Sequence, residues 1–164
     1  MNAGEAGEDE ASRKELRPYK VYAIEEGVVI DHIPPKKACD VINVLGALEG
    51  DSIVTLGVNL DSKQMGKKDV VKIERKELSW EELMKIALIA PDASLNIIKG
   101  HKVVDKLKIK VPAMFEKVVR CPNPNCITRH EPVDTKFHTV SERPFRLRCH
   151  FCERVFEREE VSLI

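Results

Sequence analysis

The sequence lacks the features of several common functional classes. Its 27 basic and 27 acidic residues cancel, so no global field would draw the whole chain onto DNA or an anionic membrane. It has no run of about 18 apolar residues, the length needed to cross a membrane. No apolar signal core follows Met1. We therefore expect a cytoplasmic protein without membrane contact, in which any anion-binding site is local.

Signatures of phosphate loops and of catalysis are also missing. No glycine-rich phosphate loop occurs. A hydrolytic zinc deaminase needs His-x-Glu and an open metal position, but His130 and Glu131 are adjacent and lie between the cysteine pairs. We find no nucleophile placed beside an acid and an imidazole. We therefore expect no enzymatic activity from the isolated chain.

The chain does contain enough apolar residues, 43%, for a hydrophobic core. Residues 1–17 are small and charged, which predicts a disordered acidic tail. From Lys20, two apolar runs around Glu26 and Gly27 indicate a strand, a turn or bulge, and a second strand. An amphipathic helix with Pro35 in its first turn follows, and its apolar residues have helical spacing: Ala38, Val41, Ile42 and Leu45.

Five further elements complete the first domain. "DSIVTLGVNL" and "KKDVVKIERK" predict two strands, and "ASLNIIKGHKVVDKLKIK" predicts another pair. Between them, Ser79 and Glu82 form a capping box that begins a helix ending at Pro91. The order β, α, β, β, α, β, β predicts an α+β fold, with two helices on one face of an antiparallel sheet. We assign residues 18–112 to this domain and residues 113–164, which show no helical period, to a small all-β domain.

The most specific motif is a pair of cysteine pairs in "CPNPNC" and "CHFC": Cys121, Cys126, Cys149 and Cys152. This pattern predicts one tetrahedral zinc ion bound by four thiolates. Because such a site has no open position for water, we expect a structural metal that supplies much of the domain's folding free energy. Iron in the same cage is the chemical alternative, and disulfides or free thiols are the other.

The remaining cysteine and the nearby histidines have simpler interpretations. Four cysteines saturate the metal, so we expect His130, His138 and His150 to be polar surface residues. Cys39 lies in the first helix, where we expect a small buried apolar side chain and not a nucleophile.

The stretch "VVIDHIPP" raises the question of whether Asp31 and His32 form a catalytic pair. Neighbouring residues of a regular strand point to opposite faces, so we expect these two side chains to be separated. On the strand "KKDVVKIE", Lys68 and Lys72 share one face. With Lys99, Lys102 and Lys106 they could bind a polyphosphate, although the charge pattern alone favours a solvated strand face.

Five segments together resemble the regulatory chain of aspartate carbamoyltransferase, from about residue 19 to the C-terminus: "VVIDHIPP", "TLGVNLDSKQMGKKDVVKIE", "APDASLN", "CPNPNCIT" and "CHFCERVF". The resemblance implies a ferredoxin-like allosteric domain that binds nucleotides and a zinc domain that docks on the catalytic chain. It implies a non-catalytic subunit in pyrimidine biosynthesis, a second regulatory chain as dimer partner, and CTP, ATP and UTP as effectors.

The resemblance also implies residue roles. Asp31 and Lys72 would contact the ribose and base edge, and His32 and Lys106 the triphosphate. Asn96 and Val103 would line the phosphate end. Ala23 and Ile24, with His101, would contact the base largely through backbone groups, and Lys68 would lie beside the site. The residues expected to contact the catalytic chain are Asn123, Asn125, Glu153 and Arg154. His101 stands where the family pattern has a tyrosine, and the acidic tail is not part of that pattern.

A nucleic-acid-binding zinc ribbon is the alternative from another class. It is suggested by the cysteine pairs together with Arg143, Arg146 and Arg148. Acidic residues follow at once, so no basic reading surface is evident.

Overall fold

The computed structural model describes residues 23–164, so the tail predicted at residues 1–17 lies outside it. The first part of the described chain contains five strands and two helices. They are β1 (Gly27–Ile33), α1 (Ala38–Val44), β2 (Val54–Ser62), β3 (Gly66–Glu74), α2 (Trp80–Ile89), β4 (Ser94–Lys99) and β5 (Lys102–Lys108). This order confirms the predicted sequence of elements.

The five strands form one antiparallel sheet in the order β2-β3-β1-β4-β5. Opposed residues of neighbouring strands project to the same face, and Ile30 is opposed by Val71 and Leu95. All three are buried in an aliphatic cluster with Val41 of α1 and Ile86 of α2. Both helices therefore cover one face of the sheet, which confirms the α+β prediction, and the other face is open.

Helix α1 begins at Ala38, three residues later than expected, because Pro35 lies in a turn before it. No side chain at Lys37 caps the helix. Instead the fully buried carboxylate of Asp69, on β3, accepts the N–H of Ala38 at 3.1 Å and the N–H of Asn59 at 2.8 Å. One buried acid thus joins the start of α1 to strands β2 and β3.

Helix α2 begins as the sequence predicts. Glu82 N–H donates to Ser79 Oγ at 3.2 Å, and Ser79 N–H donates to Glu82 Oε2 at 2.7 Å. The strand expected before Glu26 is wrong for residues 23–26, which are irregular, while Lys20 lies outside the described residues. Gly27 begins β1 with φ of +137°, where a Cβ atom would lie 2.1 Å from the carbonyl oxygen of Ile73. Only glycine fits this close approach.

The second part of the chain is all-β apart from two single 3-10 turns, Ile127–Arg129 and Arg158–Glu160. Its strands are β6 (Met114–Glu116), β7 (Val119–Arg120), β8 (Lys136–Glu142), β9 (Phe145–Cys149), β10 (Val155–Glu157) and β11 (Ser162–Leu163). Four of them form a sheet in the order β10-β9-β8-β6, and β11 pairs with β7. No helix within residues 23–164 is long and apolar enough to cross a membrane.

The two parts meet at the end of α2. Leu88 is 1% exposed and belongs to the cluster of Phe115, Phe137 and Leu147, not to the core under the first sheet. The guanidinium of Arg158 donates to the carbonyl of Leu88. Burial lowers the pKa of Arg158, and the charges of nearby acids oppose that effect.

Candidate functional site

The four predicted metal ligands converge in the second domain. The Sγ atoms of Cys121, Cys126, Cys149 and Cys152 all lie within 4.8 Å of one another. Cys121 follows β7, Cys126 precedes a 3-10 turn, and Cys149 ends β9. Three of the cysteines are buried and Cys152 is half-buried. This geometry confirms the prediction of a closed, four-thiolate site compatible with one structural zinc.

Burial and local hydrogen bonds have opposing effects on the ionisation of these cysteines. Burial raises the pKa of Cys121 and Cys149, although backbone N–H groups, including that of Asn123, oppose the rise. Burial also acts on Cys152, but donors from Arg154 N–H, the Asn123 side chain and neighbouring thiols lower its pKa to about 7. Thr128 Oγ1 donates to Cys126 Sγ at 3.2 Å. Hydrogen-bond donors to the ligand atoms are typical of the surroundings of metal sites.

The residues predicted to contact a partner differ in accessibility. Asn123 is 6% exposed, and its Oδ1 accepts the N–H of Asn125 at 3.1 Å, so its side chain supports the metal loop. The side chains of Asn125, Glu153 and Arg154 are exposed around the same loops. They therefore form the accessible part of the predicted contact, which remains a prediction.

Two expectations about other sulfur and imidazole groups have different outcomes. His130 and His150 are exposed and His138 is half-buried, with His138 Nε2 3.1 Å from His150 Nδ1. The expectation that Cys39 is buried is wrong, because its side chain is exposed on α1. Position 39 lies outside the buried stripe of Ala38, Val41 and Ile42.

A row of polar residues crosses the open face of the first sheet. Val29 in the central strand is opposed by Lys72 on one side and by Asn96 on the other. Asn96 is in turn opposed by Lys106 on β5. Because opposed residues share a face, Lys72, Asn96 and Lys106 all lie opposite the helices. The register of four strands thus brings together residues that are far apart in sequence.

The expectation that Asp31 and His32 point to opposite faces is wrong. The β1–β3 register shifts between Ile30 and Ile33, and His32 has a φ of +59°. His32 Nδ1 therefore lies 3.7 Å from Asp31 Oδ2 and 3.2 Å from Ser94 Oγ. A β-bulge inserts a residue and redirects a side chain in this way, so both groups reach the open face.

The carboxylate of Asp31 also organises two lysines. Lys68 Nζ lies 2.8 Å from Asp31 Oδ1 and 3.0 Å from Oδ2. Partial burial lowers the pKa of Lys72, an effect that the negative charge of Asp31 opposes. The predicted shared face of Lys68 and Lys72 is confirmed: Asp31 accepts a hydrogen bond from Lys68, and its charge acts on Lys72.

A cleft of about 340 Å³ lies at one end of the polar row. It is lined by His32, Gln64, Asp92, Ser94, Lys106 and Lys108. Sequence reasoning identified His32 and Lys106 but missed Ser94 and Lys108, which are opposed to each other on β4 and β5. Ser94 lies two residues before Asn96, and Lys108 two residues after Lys106, so strand alternation predicts that each pair shares a face. Two lysines and an imidazole with an open entrance suit a phosphate-bearing anion.

The opposite end of the face lies at the β4–β5 hairpin. The N–H of His101 donates to the carbonyl of Glu25 at 3.0 Å, which holds the irregular segment at Ala23 and Ile24 beside the hairpin. Ile24 is buried and Ala23 is exposed. Val103 is opposed to Ile98, which is opposed to Gly27 on the open face. All ten predicted nucleotide residues thus lie on or beside one surface.

Two of the arginines that suggested nucleic-acid binding lie beside acidic side chains. Arg143 pairs with Asp92 at 3.0 Å, and Arg146 lies 4.0 Å from Glu157. Because acidic partners divide these cations, the nucleic-acid-binding alternative gains no support from the surface.

Comparison with known proteins gives a consistent result for both domains. Residues 19–110 match the family model described as aspartate carbamoyltransferase regulatory chain, allosteric domain. Residues 114–162 match the model for the metal binding domain of the same chain.

Curated relatives are similar over most of their length. The aspartate carbamoyltransferase regulatory chain of Pyrococcus abyssi is 53% identical over 144 residues, 87% of this chain and 95% of that protein. The protein of the same name from Methanothermobacter thermautotrophicus is 46% identical, covering 87% and 92%. That from Thermococcus kodakarensis is 44% identical, covering 87% and 95%.

Proposed function

Because the chain belongs to the family of aspartate carbamoyltransferase regulatory chains, we propose that its open sheet face binds the nucleotide effectors CTP and ATP. The chain is a non-catalytic subunit that associates with the catalytic chain. The observation that carries the proposal is the row of Lys72, Asn96 and Lys106, which continues into the cleft at His32.

The proposed orientation of the nucleotide follows the polarity of this face. The triphosphate would occupy the cleft, against His32 and Lys106, with Ser94 and Lys108 as additional ligands. The ribose would lie at Asp31, whose carboxylate is held by Lys68. The base would meet the backbone at Ala23 and Ile24. The N–H of His101 already donates to the carbonyl of Glu25. His101 would therefore contact the base through its own carbonyl or its imidazole ring.

The proposed regulation is competition between two nucleotides for one site. CTP, an end product of the pyrimidine pathway, would stabilise a low-affinity state of the catalytic chain, and ATP would favour the active state, with UTP as a further effector. A ligand shifts such an equilibrium only by its differential affinity for the two states, usually about 1 to 3 kcal/mol. We place this function in the cytoplasm.

We assign docking on the catalytic chain to the metal domain, with the domain boundary at residues 112–113. Asn125, Glu153 and Arg154 surround the cysteine cluster and are exposed. Asn123 would act mainly by bracing the loop that presents Asn125. Chelation of zinc should therefore release the catalytic chain while nucleotide binding persists. Retention of the complex after verified metal loss would contradict this assignment.

We also propose that two regulatory chains pair through β2. This edge strand exposes Leu56 by 43% and Val58 by 47%. The opposite edge, β5, includes Val103 and Lys106 of the proposed nucleotide site, so β2 is the edge left free. Val58→Lys should convert dimer to monomer in sedimentation analysis, whereas Leu48→Lys, at an exposed position outside the sheet, should not. Equal masses for Val58→Lys and wild type would contradict the pairing.

Calorimetric titration of the metal-loaded chain with CTP and with ATP tests the nucleotide site. Lys106→Ala should weaken both by about 10-fold, since a hydrogen bond to a charged group contributes about 1.5 to 3 kcal/mol. Lys37→Ala, which removes the same charge at the start of α1, is the control and should bind normally. Absence of binding by the wild-type chain would overturn the proposal.

A further inference from the structure

The segment from Leu88, near the end of α2, to Ser94, the first residue of β4, touches both domains. The Leu88 side chain lies in the core of the metal domain, and its carbonyl accepts a hydrogen bond from Arg158. Four residues later, Asp92 Oδ1 accepts a hydrogen bond from Arg143 at 3.0 Å. Ser94 then lies 3.2 Å from His32 in the proposed phosphate cleft. One short segment thus connects the metal-domain core with the nucleotide site.

Asp92 has two roles in this arrangement. It is the acidic member of the cleft lining, where Lys106, Lys108 and His32 carry positive or protonatable groups. It is also the partner of Arg143, which lies in the β8–β9 hairpin of the metal domain. The side chains of Arg143 and Asp92 are 82% and 52% exposed, so neither side chain is itself held in place by a packed core.

We infer that Arg143 and Asp92 form a charge-sensitive contact through which the metal domain senses an anion in the nucleotide cleft. The inference rests on the proposed nucleotide function. An incoming triphosphate repels the Asp92 carboxylate and attracts the Arg143 guanidinium, whose planar donors suit phosphate oxygens. The ion pair opens, and Arg143 turns toward the phosphate. Because Asp92 belongs to the segment that holds Leu88, this change displaces a part of the chain packed into the metal domain.

The sign of the effect differs between the two partners. Asp92→Asn removes a negative charge from the cleft and frees Arg143, so nucleotide triphosphate should bind more tightly. Arg143→Gln leaves the Asp92 charge uncompensated, so binding should weaken. An exposed ion pair has a small coupling energy, which corresponds to a change of about two- to fivefold in each direction. Added salt should reduce both changes, since exposed charges are screened.

The experiment is titration of the full, zinc-loaded chain with CTP, for wild type, both single variants and the double variant. Arg146→Gln and Asp134→Asn are matched controls, because they make the same charge changes at ion pairs within the metal domain. We expect opposite shifts for the single variants, none for the controls, and a larger loss from Arg143→Gln when position 92 is asparagine. The shifts should decrease from CTP to CDP to CMP.

The outcomes separate this inference from the proposed function. Normal CTP binding with both single variants unchanged would overturn the inference and leave the nucleotide site in place. Shifts equally large in the controls, or equal for CTP and CMP, would assign the effect to net charge and also overturn it. A wild-type chain that binds no nucleotide would overturn both.

Discussion

The two domains are stabilised in different ways. The core beneath the five-stranded sheet is entirely aliphatic, with Ile30, Val41, Val71 and Ile86 all fully buried. The core of the second domain includes the metal ligands Cys121, Cys126 and Cys149, together with a few aromatic residues. Packing alone can therefore hold the first domain, whereas the second has a small core that depends on the metal. The first domain thus leaves one sheet face open, whereas the loops of the second domain converge on the cysteine cluster.

The two cores are not independent, because the second core includes a residue of the first domain. Leu88 lies on α2 but packs with Phe115 and Phe137. The stability of the metal domain thus depends partly on a helix whose other face covers the five-stranded sheet.

Loss of one metal ligand should produce the largest difference between the domains. Cys149→Ser should unfold the metal domain, since structural zinc contributes about 10 kcal/mol or more in small zinc domains. The first domain should keep its helices and its amide-exchange protection. Zinc analysis and hydrogen exchange resolved by segment measure both effects. Cys39→Ser, at an exposed position, is the control. A folded metal domain without bound zinc would show that the domain does not depend on the metal.

Truncation of Leu88 should destabilise both domains together. Leu88→Ala should cost about 2 to 5 kcal/mol, as expected for a buried leucine, and should lower the stability of both domains. Ile30→Ala should have a similar cost but act mainly on the first domain. Denaturant unfolding followed by zinc release compares the two variants. If Leu88→Ala left zinc release unchanged, the proposed dependence of the metal domain on α2 would be wrong.

Removal of the buried acid beneath α1 should have a smaller effect, confined to the first domain. Asp69→Ala leaves the N–H groups of Ala38 and Asn59 without their acceptor, and the expected cost is about 2 to 4 kcal/mol. Asp51→Ala, in an exposed turn, should be neutral. Thermal unfolding of the first domain provides the measurement, and a variant as stable as wild type would show that water replaces the carboxylate.

The smallest expected effect concerns the start of α2. Ser79→Ala removes the hydroxyl that accepts Glu82 N–H and should cost about 1 kcal/mol. Because α2 also carries Leu88, zinc release should accelerate slightly. Ser52→Ala, before β2, serves as the control in chemical denaturation. A larger cost for Ser52→Ala than for Ser79→Ala would contradict the capping assignment.

Several features were predictable because they depend on neighbouring residues. The capping box of Ser79 and Glu82 is a local motif, and the two cysteine pairs are recognised by the spacing within each short segment. The burial of Val41 and Ile42 follows from helical periodicity, which also indicates that Cys39 faces away from the core. The expectation for Cys39 used the average behaviour of cysteine and overlooked the periodicity of its own helix.

The pairing of Asp31 with His32 was not predictable in the same way. Strand alternation holds only while the ladder is regular, and the bulge between Ile30 and Ile33 depends on how β1 aligns with β3. The place of Ser94 and Lys108 in the cleft likewise depends on the register between β4 and β5. Register results from contacts between distant segments, so one strand's sequence does not contain it.

The sequence by itself determined the order of helices and strands, the four metal ligands and the family to which the chain belongs, because these features consist of short-range patterns. Only the tertiary structure decided that Asp31 and His32 share a face, that Leu88 packs into the other domain, and that Asp92 meets Arg143. Each of these depends on where separate segments come to lie, which is set by packing and strand register across the whole chain.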